Sequence, residues 1–500
     1  MEVRRNLIAN LLGQGWSAVL NIGAMPIYIA LLGMESFGLI GLATVVLTLT
    51  ILLDGGIATT LNRAMVRYRA GQAALGESAD LLRSFEGAIL AAASFIACVA
   101  LLFGPALAAA WLDPGGLPPE LVETALVLMV QIAVLRVTEA IYRAALLGLD
   151  RPVTMNALSA VFTSLRILGP VPLILWGGGD VLTFFWGQLA ASGASLLCFA
   201  AATHLVLEGS ILGRGRFNWA ALRSSLGFTG AAFAIAALVA LINQVDKLLV
   251  ARLVSLEMLG YYSAATVAAT GIYQLVQPVF QSFYPKLSYF HTTGDGVAFD
   301  RLFLRTAATM GFIAGVPIAI IALNVDEVLF AWTGDTDVVA QAGPLLAWLC
   351  LGTLANGLFH APLAALLASA RHGIAVVTTT VLLVLLVPAL LLGWSYAGLM
   401  GLAAAWSVAL AVWFLATLVL TATRVTTGQI GLEVLGASLI PCAVALLISL
   451  ALRTMLEIEM AQQLRTALVV IAFGAAVTLM TAAVLWLSGR AITRLRQVPA

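Results

Sequence analysis

Charge is scarce in this chain. Only 10% of its 500 residues are Asp, Glu, Lys or Arg, against roughly 25% in an ordinary soluble domain, and 62% are hydrophobic. So little charge cannot solvate a globular surface, which excludes a large soluble catalytic domain. Lysine is almost missing: Lys247 and Lys286 stand alone, and every other cation is Arg. Cysteine is sparse and unpaired in sequence. Cys98, Cys198, Cys350 and Cys442 stand singly in apolar stretches without metal-type spacing and read as small buried hydrophobes. The four histidines, His204, His291, His360 and His372, show no ligand spacing either, so neither a metal nor another cofactor is expected. The net charge of +1 leaves no electrostatic footprint for nucleic acid. Long polar connections are also lacking.

What the sequence does have is long apolar runs, broken by short polar or Gly/Pro-containing segments. They predict helices over 6–32, 37–62, 84–112, 121–148, 153–176, 181–208, 224–253, 258–285, 306–323, 341–368, 373–392, 397–423, 430–452 and 466–488. The N-terminus lacks a small-residue cleavage site after a short apolar core and reads as a retained first span. Of the 20 cations outside these spans, 18 fall on alternate connections, beginning with Arg4 and Arg5. The opposite connections are acidic, with Glu35, Asp113, Asp326, Glu327, Asp335 and Asp337 among their residues. By the positive-inside rule both termini are cytoplasmic.

The segment Leu32-Gly33-Met34-Glu35-Ser36-Phe37-Gly38 recurs 222 positions later as Val254-Ser255-Leu256-Glu257-Met258-Leu259-Gly260. The same offset brings Asn21 onto Asn243, Thr44 onto Thr266 and Thr48 onto Thr270; an offset of 220 brings Arg151 onto Arg371 and Trp186 onto Trp406. The expected fold class is therefore an all-α polytopic membrane protein of about 14 transmembrane helices, with two pseudo-symmetric six-helix bundles plus two C-terminal helices. The expected domains are a first bundle at 1–208, a cytoplasmic linker at 209–223, a second bundle at 224–423, and two extra helices with a short cytoplasmic tail at 424–500. An even number of spans per bundle gives both the same orientation, and the cleft between them is the expected substrate path.

Polar side chains are arranged in stripes. Asn10, Gln14, Ser17 and Asn21 share one face of the first span, and Thr266, Thr270, Tyr273, Gln277 and Gln281 share one face of the eighth; such faces line water or contact another helix. Ionisable residues within spans are functional candidates because they are costly there. Arg136, Glu139 and Arg143 lie at i, i+3 and i+7 on the fourth span, and Arg166 lies on the fifth. Glu139 has reach for one of its helix neighbours, which leaves the other arginine and Arg166 without a sequence-local partner. Asp246 and Lys247 on the seventh span are adjacent and face different ways, so each is expected to pair elsewhere. Asp54 completes the set. Surplus arginine suits an anionic ligand, because the guanidinium fork matches phosphate oxygens. The candidate substrate-binding residues are Arg136, Arg143, Arg166, Lys247, Gln14 and Asn21. Asp54, Glu139 and Asp246 are candidates for coupling or ion pairing.

The stretches Leu31-Leu32-Gly33 to Phe37-Gly38, Leu53-Asp54-Gly55-Gly56 running to Arg63, and Asp246-Lys247-Leu248-Leu249 leading into Leu259-Gly260-Tyr261-Tyr262-Ser263-Ala264 resemble the polysaccharide-transport family. These are the lipid-linked oligosaccharide flippases for O-antigen and exopolysaccharide, in the superfamily that also holds the multidrug and toxin extruders and the lipid II flippases. The resemblance covers roughly residues 1–430 in layout. It implies an alternating-access transporter, not an enzyme, in a bacterial inner membrane, carrying an undecaprenyl-pyrophosphate-linked glycan for lipopolysaccharide or another surface polymer. It also implies partners among glycan polymerases, and a pyrophosphate held by Arg136, Arg143 and Arg166. A cation-coupled multidrug exporter of the same fold is the alternative, although the first span has no acid between Glu2 and Glu35. A membrane-embedded glycan polymerase or ligase is a third reading; it needs an outer acid/base cluster that no connection supplies.

Overall fold

The computed structural model describes residues 2–50, 56–210, 215–225, 237–426, 430–455 and 463–495, with the side chains of 2–14, 18, 221, 224, 225 and 487–495 outside the description. The chain is an all-α polytopic membrane protein. Its helices are α1 (Glu2–Leu49), α2 (Ile57–Arg69), α3 (Leu75–Trp111), α4 (Pro119–Gly148), α5 (Pro152–Leu168), α6 (Pro170–Gly177), α7 (Val181–Glu208), α8 (Trp219–Ser225), α9 (Val245–Leu253) and α10 (Leu256–Thr270). They continue as α11 (Tyr273–Thr293), α12 (Gly296–Leu323), α13 (Val325–Thr333), α14 (Thr336–Ala368), α15 (His372–Arg424), α16 (Gly431–Met455) and α17 (Gln463–Leu495).

Among the described residues ten helices are long and apolar enough to cross a bilayer. Two of them hold a break and take in two predicted spans each. In α1, Gly33 adopts φ 79° and ψ 170°; in α15, Ala397 and Gly398 leave helical geometry. The predicted seventh span falls partly outside the described residues. The eighth divides into α10 and α11, and the predicted second span ends early, its last residues forming the separate α2.

The chain divides into two compact units, Met1–Ser263 and Ala264–Ala500. In the first, Leu61 and Met65 from α2, Leu82 and Phe85 from α3, Ile141 and Leu146 from α4 and Phe199 from α7 form one buried cluster. In the second, Val316 and Ala319 of α12 pack with Ala445 of α16 and Phe473 of α17. Lipid removes the hydrophobic incentive for helices to associate, so close approach depends on small residues. A Cβ at Gly311 would strike the Ser438 carbonyl, and one at Gly315 the Cys442 side chain, so α12 and α16 touch nearly backbone to backbone. Large apolar side chains such as Phe95, Leu101, Leu102 and Phe103 of α3 remain exposed, as a bilayer-facing surface requires. The expectation that all four cysteines are buried is corrected here. Cys98 and Cys198 are exposed and Cys442 is partly exposed, because their helices turn apolar faces outward, while Cys350 alone is buried.

The sequence repeat recurs as backbone geometry. Two non-glycine residues among those described have positive φ, Asp150 at 57° and Ala370 at 56°, and they lie 220 positions apart. Each closes a helix with the same bonds: Arg151 N to Leu146 O and Arg371 N to Leu366 O, both 2.9 Å. Gly178 (φ 61°) and Gly398 (φ 56°) share that offset. Asn21 and Asn243 each return their amide to the carbonyl four residues back, to Ser17 and Val239. Thr48 and Thr270 do the same with their hydroxyls. Within the first unit the duplicated segments also meet. A Cβ on Gly38 would run into the Leu256 carbonyl, and one on Gly260 into the Met34 carbonyl, a reciprocal crossing in which each copy supplies one glycine.

Candidate functional site

The first unit encloses a cavity of about 470 Å³, a size that suits small-molecule sites. Ser17, Asn21, Met25 and Tyr28 reach it from the first half of α1, and Thr44 and Thr48 from the second. Arg136 and Arg143 come from α4, Ser159, Thr163 and Arg166 from α5, and Phe184, Phe185 and Gln188 from α7.

Helix geometry accounts for this convergence. The 3.6-residue period places Arg136, Glu139 and Arg143 on one face of α4. Arg166 lies in the last turn of α5, where the helix is interrupted by Gly169-Pro170. Pro170 has no N–H to give the Arg166 carbonyl, and Gln188 Nε2 donates to that carbonyl instead at 3.0 Å. The neighbouring Ile167 carbonyl accepts Tyr28 O–H at 2.6 Å, and Trp16 Nε1 donates to Ser164 Oγ at 2.9 Å. The break thus leaves the Arg166 and Ile167 carbonyls open to α7 and α1, and the Ser164 hydroxyl adds a third tie between α1 and α5.

At the centre of the charged group is Glu139, 2% exposed. Its Oε2 accepts from Arg166 Nη2 and, at 2.7 Å, from Ser195 Oγ; its Oε1 faces Arg143 Nη1 at 3.6 Å. Arg143 also lies over the Phe199 ring, 5.8 Å from its centroid, a cation–π arrangement. Arg166 is buried with its Nε unpartnered. The division of partners differs from the helix-local expectation: Glu139 takes Arg166 and Arg143 together, and Arg136 is the arginine without an ion pair among the described residues. Three guanidinium groups stand around one carboxylate, a surplus of two positive charges, and among the described residues no carboxylate lines the cavity. Such a site is built to take an anion with several oxygens.

Arg136, Arg143, Arg166 and Asn21 therefore converge on one cavity, with Glu139 behind them. Lys247 is not among the lining residues. Asp246 and Lys247 were expected to pair apart, and the structure corrects this: Lys247 Nζ donates to both Asp246 oxygens at 3.2 Å and to the Asn243 carbonyl at 2.7 Å. A turn at Asn243–Gln244 starts a new helix at Val245, so both residues sit in its first turn, where the long lysine folds back. Asp246 also accepts Tyr262 O–H at 2.7 Å. Asp54 and the Gln14 side chain lie outside the described residues. The sequence reading did not single out Tyr28, Gln188 or Ser195. The Gly-Pro step after Arg166 was the available signal for the first two; no local signal marks Ser195. In the second unit the positions 220 further on, Asn356, Phe359, Leu363 and Leu386, carry no charge. Asn356 Nδ2 there donates to the Tyr273 hydroxyl at 2.8 Å, and Phe359 stacks on Trp413. The charged cavity has no counterpart at the repeated positions.

A helical chain with this succession of long, paired spans has the architecture of a known class of membrane transporters. The fold is similar to that of a lipid II flippase, MurJ, in an inward closed conformation, with TM-score 0.67, 13% identity, and coverage of 97% of this chain and 99% of that one. A multidrug resistance MATE family transporter of the MOP superfamily, inward-facing, matches with TM-score 0.67, 15% identity, and coverage of 82% and 94%. A variant of the Vibrio cholerae MATE transporter VcmN matches with TM-score 0.54, 14% identity, and coverage of 86% and 98%. No curated protein sequence matches. The profile of the family described as polysaccharide biosynthesis protein matches residues 3–291, more than half of the chain, and the chain belongs to that family.

Proposed function

We propose that the chain is an alternating-access flippase that moves an anionic, undecaprenyl-pyrophosphate-linked oligosaccharide from the inner to the outer leaflet of a bacterial inner membrane for cell-surface polysaccharide synthesis. The observation that carries this reading is the cavity with three arginines around one carboxylate, of which Arg136 makes no contact ion pair among the described residues. A pyrophosphate offers several acceptor oxygens to forked donors. Family membership supports the polysaccharide pathway, and the fold shared with a lipid II flippase supports a lipid-linked cargo. In this reading Arg136 grips the pyrophosphate directly and Arg143 and Arg166 complete the grip. Asn21 and the neighbouring Gln14 contact polar groups of the cargo, and Lys247 with Asp246 holds the start of α9. The bundles of the reading are 1–208 and 224–423, joined by 209–223 and followed by 424–500, with both termini cytoplasmic.

The cation-coupled multidrug exporter shares the fold, yet an exporter of organic cations needs an uncompensated carboxylate in its cavity. The only carboxylate bonded to the lining arginines among the described residues is already neutralised. Deleting the gene should remove the surface polysaccharide and leave its lipid-linked precursor in the cytoplasmic leaflet, as seen by mass spectrometry of extracted lipids. Normal surface polysaccharide together with new sensitivity to organic cations would favour the exporter.

A further inference from the structure

A second charged group lies in the first unit, at the end that carries the basic loops, apart from the arginine cavity. His204 in the last turns of α7 is 5% exposed and lies between two carboxylates: Nε2 is 2.7 Å from Glu86 Oε1 of α3, and Nδ1 is 3.1 Å from Glu208 Oε1 of its own helix. Arg83 Nη1 holds the other oxygen of Glu86 at 2.8 Å. Tyr142 of α4 packs edge-on to the imidazole, with ring centroids 6.1 Å apart, and its hydroxyl bonds Glu86.

The proton count follows from the donor inventory. A carboxylate oxygen only accepts, and a neutral imidazole has one N–H. Two ring nitrogens facing two carboxylate oxygens require a second ring proton, or a proton on one of the glutamates. Imidazole is a stronger base than a carboxylate, and Arg83 holds Glu86 in its ionised form, so the proton resides on the ring, and the group holds one proton more than a neutral histidine and two carboxylates. With the proton, each carboxylate oxygen facing the ring meets an N–H donor; without it, a ring lone pair points at a carboxylate oxygen in a site with little water, a costly arrangement.

Residues 215–222 lie over the same turn of α3. Arg216 N donates to Asp80 Oδ1 at 2.6 Å and Asn218 N to Ser84 Oγ at 2.7 Å. A Cβ on Gly87 would lie 3.1 Å from the Phe217 ring, and Leu222 is buried in the cluster with Phe85 and Leu207. Residues 215–222 thus form a strap docked on α3, beside Glu86.

We propose that His204, Glu86 and Glu208 form a proton-binding site, and that the bound proton clamps α3 to α7 and keeps the strap docked. Release of the proton sets the imidazole lone pair against a carboxylate, parts the two helices and undocks residues 215–222. In an alternating-access transporter such a proton is available as the coupling ion. That extension rests on the function proposed above; the readouts below involve no cargo and stand without it.

The test uses full-length protein in lipid nanodiscs with 15N-labelled histidine, the His204 signal being assigned from its loss in His204→Gln. At about pH 7.5 an ordinary imidazole, with its midpoint near 6.5, has given up its second proton. The expected result is that both His204 nitrogens still carry protons in the wild type, and that the isosteric Glu208→Gln variant shows a neutral ring at the same pH. Amide exchange at Arg216 and Asn218, corrected for its intrinsic pH dependence, should rise about tenfold or more in step with loss of that proton. Because His204→Gln can fail to assemble, Glu208→Gln carries the comparison. A neutral His204 in the wild type at that pH, a ring still doubly protonated in Glu208→Gln, or strap exchange indifferent to the ring's titration would each overturn the proposal.

Discussion

Arg136→Ala should abolish surface polysaccharide while leaving the amount of folded protein in the membrane unchanged, and Arg166→Ala should lower the protein itself. The two arginines line the same cavity but have different partners. Arg136 has no ion pair among the described residues, so its removal strands no protein charge. Arg166 is bonded to Glu139, which is almost completely buried; without it, that carboxylate keeps Ser195 and the more distant Arg143. Breaking a buried pair by deleting one partner costs about 3–5 kcal/mol, enough to unfold many proteins of ordinary stability. Arg136→Lys should restore export only in part, since an ammonium lacks the fork. Membrane levels by immunoblot and surface glycan by gel, measured together, check this. Equal loss of protein in Arg136→Ala and Arg166→Ala would assign both residues to structure, and normal glycan in Arg136→Ala would remove the residue from the site.

Gly38→Val and Gly260→Val should each destabilise the protein strongly, and to a similar degree. At both positions a Cβ would overlap a backbone carbonyl of the facing segment, Leu256 for Gly38 and Met34 for Gly260. Backbone cannot step aside as a flexible side chain does, so relief requires parting the two segments. Overpacking of this kind costs about 1–3 kcal/mol or more. Gly23→Val is the matched control, because a Cβ there meets nothing within 4 Å among the described residues. Thermal unfolding in detergent, followed by loss of the monodisperse peak, reads the effect. Unchanged stability in either valine variant would contradict the crossing.

The fold was legible because lipid imposes a simple rule on sequence: a span must be long and apolar, and breaks must be polar or contain Gly or Pro. The connection read at 33–36 holds the break at Gly33, while the break at Ala397-Gly398 lies just inside the span read from 397 rather than in the connection before it. The division of the eighth span into α10 and α11 was passed over although Gly271 stands at it, because a single glycine with no proline or charge beside it does not distinguish a break from a helix interior. For the site, depth and charge brought Arg136, Arg143 and Arg166 into one candidate set before any helix packing was known. Which arginine Glu139 would take was not legible, because the 27 residues between Glu139 and Arg166 hide a contact across helices. Lys247 was misplaced for a local reason: the turn at Asn243–Gln244 breaks the helical spacing on which opposed faces were inferred. The Glu86–His204–Glu208 group escaped notice because Glu86 and His204 are 118 positions apart, although the i, i+4 spacing of His204 and Glu208 was visible.

Purified protein reconstituted in liposomes with a fluorescent undecaprenyl-pyrophosphate oligosaccharide, probed with a membrane-impermeant quencher, measures the proposed movement itself. With the wild type, label that begins in the inner leaflet should become accessible and be quenched. With Arg136→Ala it should stay protected, as in protein-free liposomes. An inner-leaflet pool that remains protected with folded wild-type protein, under an imposed proton gradient or membrane potential of either sign, would contradict the account.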